Sequence, residues 1–222
     1  MSKIRVGVVH TFLYSVEDLK AQFREQLPEA EMINIIDDSL LEEALANGAV
    51  TPAIISRMCD YYQNLQELGC VCALNQCSSV GEASDIAGRT VSMPIFKIDR
   101  PMARKAAELG EKIAVIATAC STVEPSSRLV ESEAARLGRR VQVDRCFVEG
   151  AYECLLKTGD KQKHNEMVVA KVEEAAKDHD VIVLAQGSMY HLMPLLSHIQ
   201  VPVLTSLETG VAQLRKYLDG RN

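Results

Sequence analysis

Two stretches decide the fold: Leu74-Asn75-Gln76-Cys77-Ser78 and Leu184-Ala185-Gln186-Gly187-Ser188. Each reads as a buried strand running into a polar loop ahead of a helix. Working outward, Val6-Gly7-Val8-Val9-His10-Thr11 resembles Ala114-Val115-Ile116-Ala117-Thr118-Ala119, and Pro94-Ile95-Phe96 resembles Pro202-Val203-Leu204. Counted from first residues, the offsets are 108 for the opening pair, 110 for the loop pair and 108 for the proline pair. Landmarks in one order at a nearly constant offset point to two copies of one βαβ unit.

Between the landmarks, short apolar runs alternate with helical spacing. Strands are expected at 4–10, 31–36, 70–75, 94–98, 112–117, 141–147, 181–185 and 201–205, with helices at 15–27, 40–47 and 52–68 and in the later intervals. Ser15 and Asp18 are spaced as a capping box, and Gly69 closes the 52–68 helix. This alternation implies an α/β protein with mostly parallel sheets flanked by helices. The duplication divides it into two pseudo-symmetric flavodoxin-like lobes, 1–99 and 100–205, with a C-terminal helix at 206–222 packing back on the first. In parallel sheets ligands bind beyond the carboxyl ends of the strands. Facing copies would gather His10-Thr11, Asn75 to Ser79, Thr118 to Thr122 and Gln186 to Ser188 around one cleft.

Composition narrows the function classes. Of 222 residues, 47% are hydrophobic and 24% charged, enough to bury a core, and the net charge of −6 argues against a nucleic-acid partner. No apolar stretch is long enough for a bilayer, and the first residues lack a secretory signal. Seven cysteines, an odd number, read as reduced thiols of a cytoplasmic protein. No metal is expected, because Cys70 and Cys72 sit in a strand-like run and no second pair follows at zinc spacing. Neither G-x-G-x-x-G nor a Walker motif is present, which disfavours a nucleotide-binding reading.

Cys77 follows a buried strand and precedes Ser78, Ser79 and Gly81, where loop N–H groups and a helix start favour thiolate. Such a thiol serves as general base or nucleophile. Cys59, Cys70, Cys72, Cys120, Cys146 and Cys154 read instead as small packed hydrophobes. Thr118, Ser121 and Thr122 precede Pro125, taken as a first-turn proline, and hydroxyls at a helix start suit a carboxylate. The same groups also serve as ordinary helix caps.

The Cys77-Ser78-Ser79 element after a strand, His10-Thr11, Thr118-x-x-Ser121-Thr122, and Leu184 to Met189 with Pro194-Leu195-Leu196 together resemble the aspartate/glutamate/hydantoin racemase superfamily. The resemblance covers nearly the whole chain. It implies cofactor-independent proton transfer on a small carboxylate, with two cysteines flanking the α-carbon and hydroxyls and loop amides holding the carboxylate. Cys77 is then the acid/base, and Thr11, Asn75, Ser78, Ser79, Thr118, Ser121, Thr122, Gln186, Gly187 and Ser188 are candidate substrate contacts.

The second cysteine is absent. The internal repeat puts its position at Gly187, whereas aligning directly to the family's Gly-Cys-Thr puts it at Gln186. His10, standing where several members carry an acid, and His191 are the candidates for a second proton carrier. The expected function is an amino-acid racemase or epimerase. A single-cysteine decarboxylase or cis–trans isomerase is the alternative, and a non-catalytic carboxylate binder the other. A homo-oligomer is compatible with the sequence.

Overall fold

A computed structural model describes residues 3–221. It divides into two compact units, one running up to Asp99 and resuming at Leu207, the other spanning Arg100–Ser206.

The first unit holds β1 (Ile4–His10), α1 (Val16–Gln26), β2 (Ala30–Ile36), α2 (Ser39–Asn47), α3 (Pro52–Glu67), β3 (Cys72–Asn75), α4 (Gly81–Ala87) and β4 (Ile95–Lys97). Its sheet is parallel, in the order β2-β1-β3-β4. The last five residues of β1 and all of β3 are buried, as strands covered on both faces must be. Helix α3 shows how the sequence imposes this. The Thr51 hydroxyl accepts from Ile54 N–H, Pro52 opens the helix, and Ile54, Met58, Tyr62 and Leu65 form its buried face. Leu65 lies so near Gly7 that a Cβ there would come within 2.7 Å of Leu65 Cδ1, so β1 needs glycine at that point.

The second unit holds α5 (Arg100–Leu109), β5 (Lys112–Ala117), α6 (Cys120–Arg136), β6 (Gln142–Phe147), α7 (Ala151–Glu153), α8 (Lys161–Ala175), β7 (Val181–Leu184) and β8 (Val203–Leu204). Its parallel order, β6-β5-β7-β8, repeats that of the first unit. Helix α9 (Ser206–Asp219) returns to the first sheet: Gln213 donates to Lys97 O and Arg215 Nε donates to Gln26 O.

Two local expectations change. Ser15 makes no cap hydrogen bond; its hydroxyl accepts from Gln76 Nε2 at 2.6 Å instead. Pro125 lies within α6 rather than in its first turn. Among the described residues no helix is long and apolar enough to cross a membrane. No group of three or more His, Cys, Asp or Glu there could hold a metal.

Candidate active site

The carboxyl end of the first sheet builds a thiol site from its loops. After β3 the chain leaves the sheet at Gln76, whose N–H still donates to Val9 O. Cys77 then takes an extended conformation and caps a 3-10 turn, Ser78–Val80. Asn75, itself buried, braces the loop from beneath: its Nδ2 donates to Cys77 O at 2.8 Å, and its Oδ1 accepts from Cys77 N–H at 3.4 Å.

Cys77 keeps some exposed surface, yet burial of the sulfur is the largest influence on its acidity and pushes the thiol up. The Thr11 hydroxyl and the N–H groups of Ser79 and Val80 pull the other way. Thr11 Oγ1 is buried and makes no hydrogen bond of ordinary geometry, so its influence on the thiol is the longer-range one. The loop donors expected from the sequence are therefore present, but desolvation outweighs them. Burial thus favours the neutral thiol, while the loop N–H groups favour the thiolate.

Sequence reasoning missed Asp99. This buried carboxylate follows β4 and accepts from the Ser78 hydroxyl at 2.5 Å, anchoring the residue beside Cys77. Its place just past a strand end was the available signal. Ser79 is also buried in the loop.

The second sheet repeats the arrangement without a thiol. Ala185 N–H donates to Ile116 O as Gln76 N–H donates to Val9 O, and Leu184 lies opposite Ile116 as Asn75 lies opposite Val9. Gln186 therefore corresponds to Cys77. Its backbone (φ −123°, ψ 133°) matches that of Cys77 (φ −131°, ψ 121°), and it too caps a 3-10 segment, Gly187–Leu196. Of the two positions open from the sequence, the backbone selects Gln186; Gly187 corresponds to Ser78, and the buried Ser188 to Ser79. By the same reasoning, Asp37 N–H to His10 O and Val148 N–H to Ala117 O equate His10 with Ala117 and Thr11 with Thr118. Where Thr11 Oγ1 makes no hydrogen bond, the Thr118 N–H and hydroxyl donate to Gln186 Oε1 at 2.6 and 3.0 Å. Thr122 is buried in the first turn of α6 and Ser121 is part-exposed. Cys120, expected to pack as a small hydrophobe, is exposed as the first residue of that helix.

A family model described as Asp/Glu/Hydantoin racemase matches residues 11–214. The chain belongs to that racemase family. No curated protein matches it. Among solved structures, this racemase-family chain is similar to a glutamate racemase from Francisella tularensis in complex with D-glutamate, at 10% identity and a TM-score of 0.74, covering 100% of this chain and 83% of that one. An aspartate racemase from Picrophilus torridus is similar at 13% identity and TM-score 0.71, covering 97% and 94%. An allantoin racemase from Klebsiella pneumoniae is similar at 16% identity and TM-score 0.68, covering 98% and 88%. At these identities the structures speak for the fold, and the family match supports an isomerase-type, racemase-like enzyme.

The two histidines singled out in this racemase-family sequence occupy different settings. His10 is fully buried, its Nε2 2.8 Å from Asn34 Oδ1, and burial lowers its pKa. His191 is exposed, its Nε2 3.0 Å from Asn165 Oδ1, which also bonds Nδ1 of the buried His164. Burial lowers the His164 pKa as well. His10 and His164 thus bind a proton more readily unfolded, near pH 6.5, than folded. Stability is held above that pH and lost as the pH falls through it towards the lower folded values. Urea midpoints should fall from pH 7.5 to 5.5, and His164→Gln should flatten that slope; an unchanged slope in the variant would remove His164 as its source.

Proposed function

We propose that the protein is a racemase-like enzyme that moves a proton at the carbon beside a small carboxylate, with Cys77 as its acid/base. The observation that carries this reading is the setting of the thiol: Cys77 caps the 3-10 turn after β3 with Asn75 bracing its backbone, burial favours the neutral thiol, and the Ser79 and Val80 N–H groups favour the thiolate formed when it gives the proton up. Ser79 in the first unit and Ser121, Thr122 and Ser188 at the corresponding ends of the second are the candidate carboxylate contacts, the Ser78 hydroxyl being engaged by Asp99. Neither a metal nor pyridoxal phosphate is needed, so activity should survive dialysis against a chelator and treatment with an aminooxy reagent.

A second reading has its own support. The position equivalent to Cys77 holds Gln186, which has no proton of useful acidity. A neutral thiol on one face suits protonation after loss of carbon dioxide, or addition to a double bond in cis–trans isomerisation. His191, exposed and at the β7 end, is the more accessible candidate for a second carrier in the racemase reading; the burial of His10 suits a supporting role.

The test is incorporation of solvent deuterium at the α-carbon across amino acids and small diacids, followed by mass spectrometry. Exchange that disappears in Cys77→Ser supports proton transfer. Carbon dioxide release, or loss of enoate absorbance, would select the second reading. Binding with neither exchange nor turnover would make the protein a carboxylate binder.

A further inference from the structure

Gln186 stands where the first unit has its thiol, and its side chain is not free to turn. Oε1 accepts from Thr118 N–H at 2.6 Å, Ala119 N–H at 3.2 Å and the Thr118 hydroxyl at 3.0 Å. Two of these partners are backbone N–H groups, which only donate. The amide therefore cannot flip, because the reversed orientation would set its NH₂ against them. Nε2 is turned away from that nest, and among the described residues no hydrogen bond from it is formed. The residue is part-exposed at the carboxyl end of β7, beside the buried Ser188.

From this juxtaposition we propose that Gln186 is a fixed hydrogen-bond donor that recognises a carboxylate or carbonyl oxygen of the substrate. The assignment rests on the small-carboxylate reading above and deepens it. A carboxamide pinned through its oxygen offers two N–H groups in a set direction and can neither give nor take a proton near neutral pH. The second unit thus carries a recognition group at the position equivalent to the one where the first carries its thiol. It also changes the role of Thr118: its N–H and hydroxyl are engaged by Gln186, so Thr118 is a positioning residue that acts on substrate through the amide.

Gln186→Glu separates this role from a purely structural one. Glutamate keeps an oxygen for Thr118 and Ala119 but replaces the outward NH₂ by a second, anionic oxygen. Gln186→Met removes both ends. Calorimetric titration of the full-length protein with acetate, malonate, succinate and L-glutamate provides the readout. At least one of these should bind the wild type, and Gln186→Glu should weaken it by about 10- to 100-fold, the worth of a hydrogen bond to a charged group. Thermal unfolding should leave Gln186→Glu near the wild type. Equal affinity in Gln186→Glu, or no binding of the four carboxylates to the wild type, would overturn the assignment. The proton-transfer reading fails separately: weakened binding by Gln186→Glu with no solvent exchange in the wild type would leave the donor assignment standing and remove the chemistry from Cys77.

Discussion

Cys77→Ser is expected to slow deuterium exchange at the substrate α-carbon by about 10²- to 10⁴-fold, the usual range for a positioned general acid or base. Serine preserves the loop, because the Asn75 bonds run to the Cys77 backbone and not to the sulfur. It removes the sulfur to which the proton transfer is assigned. The pH profile of kcat/KM then tells which form of the thiol reacts. Burial raises the Cys77 pKa above its ordinary value. If thiolate removes the proton, activity should climb with pH through and beyond the ordinary thiol range. If thiol donates the proton, activity should be flat near neutrality and fall only above that range. Alkylation offers an independent check: at pH 7 iodoacetamide should label the exposed Cys120 well before Cys77, with peptide mapping separating Cys77 from the part-exposed Cys59, Cys146 and Cys154. Full activity in Cys77→Ser would refute the assignment.

The strands were legible because both sheets bury β-branched runs on two faces. The 4–10 and 112–117 strands agree at both ends, β2 starts one residue before the expected 31–36, and the other five expected strands run one to three residues longer than the paired ones, because the apolar run extends beyond the hydrogen-bonded residues. The position equivalent to Cys77 in the repeat was harder, for a specific reason. Sequence similarity aligns Leu74 with Leu184 and thereby Gln76 with Gln186, but strand pairing aligns Asn75 with Leu184. The shared glutamine is a coincidence one residue out of register, and a one-residue slip in a strand reverses every side chain. Gln76 turns inward to Ser15, whereas Gln186 occupies the Cys77 position and bonds Thr118.

Other features depend on contacts that no local pattern carries. A cysteine before a helix start announces donors but not the desolvation that outweighs them. Asp99 stands just past an expected strand end, but that place alone does not show that its carboxylate reaches Ser78. Cys120 resembles the packed cysteines in composition and differs only in standing at the outer end of a helix.

The dependence of the site on packing from behind gives the second large effect. Gly210→Ala should destabilise the protein by about 1–3 kcal/mol, the usual cost of overpacking. Alanine is the better helix former by about 1 kcal/mol, so at an open position in α9 the change would help. At Gly210, however, a Cβ would collide with Ile98 Cγ1 and stand 2.7 Å from Ile98 O and 3.1 Å from Ile98 Cα. A side-chain tip can swing aside, but here the backbone of Ile98 must move. That backbone is tied into the thiol site: Ile98 N–H donates to Asn75 O at 3.0 Å, and the next residue, Asp99, holds Ser78. Displacement of Ile98 therefore reaches the Cys77 loop from both Asn75 and Asp99. Misplacement by about 1 Å can cost a catalytic group up to about 10²-fold, so kcat should fall along with the melting temperature. Gly220→Ala is the control, since its nearest contacts, Lys216 O and Tyr217 O, both lie at 3.6 Å. Thermal melts and exchange rates on the two variants decide the matter: equal stability would show that α9 yields to the methyl group, and lost stability with full activity would disconnect Ile98 from the loop.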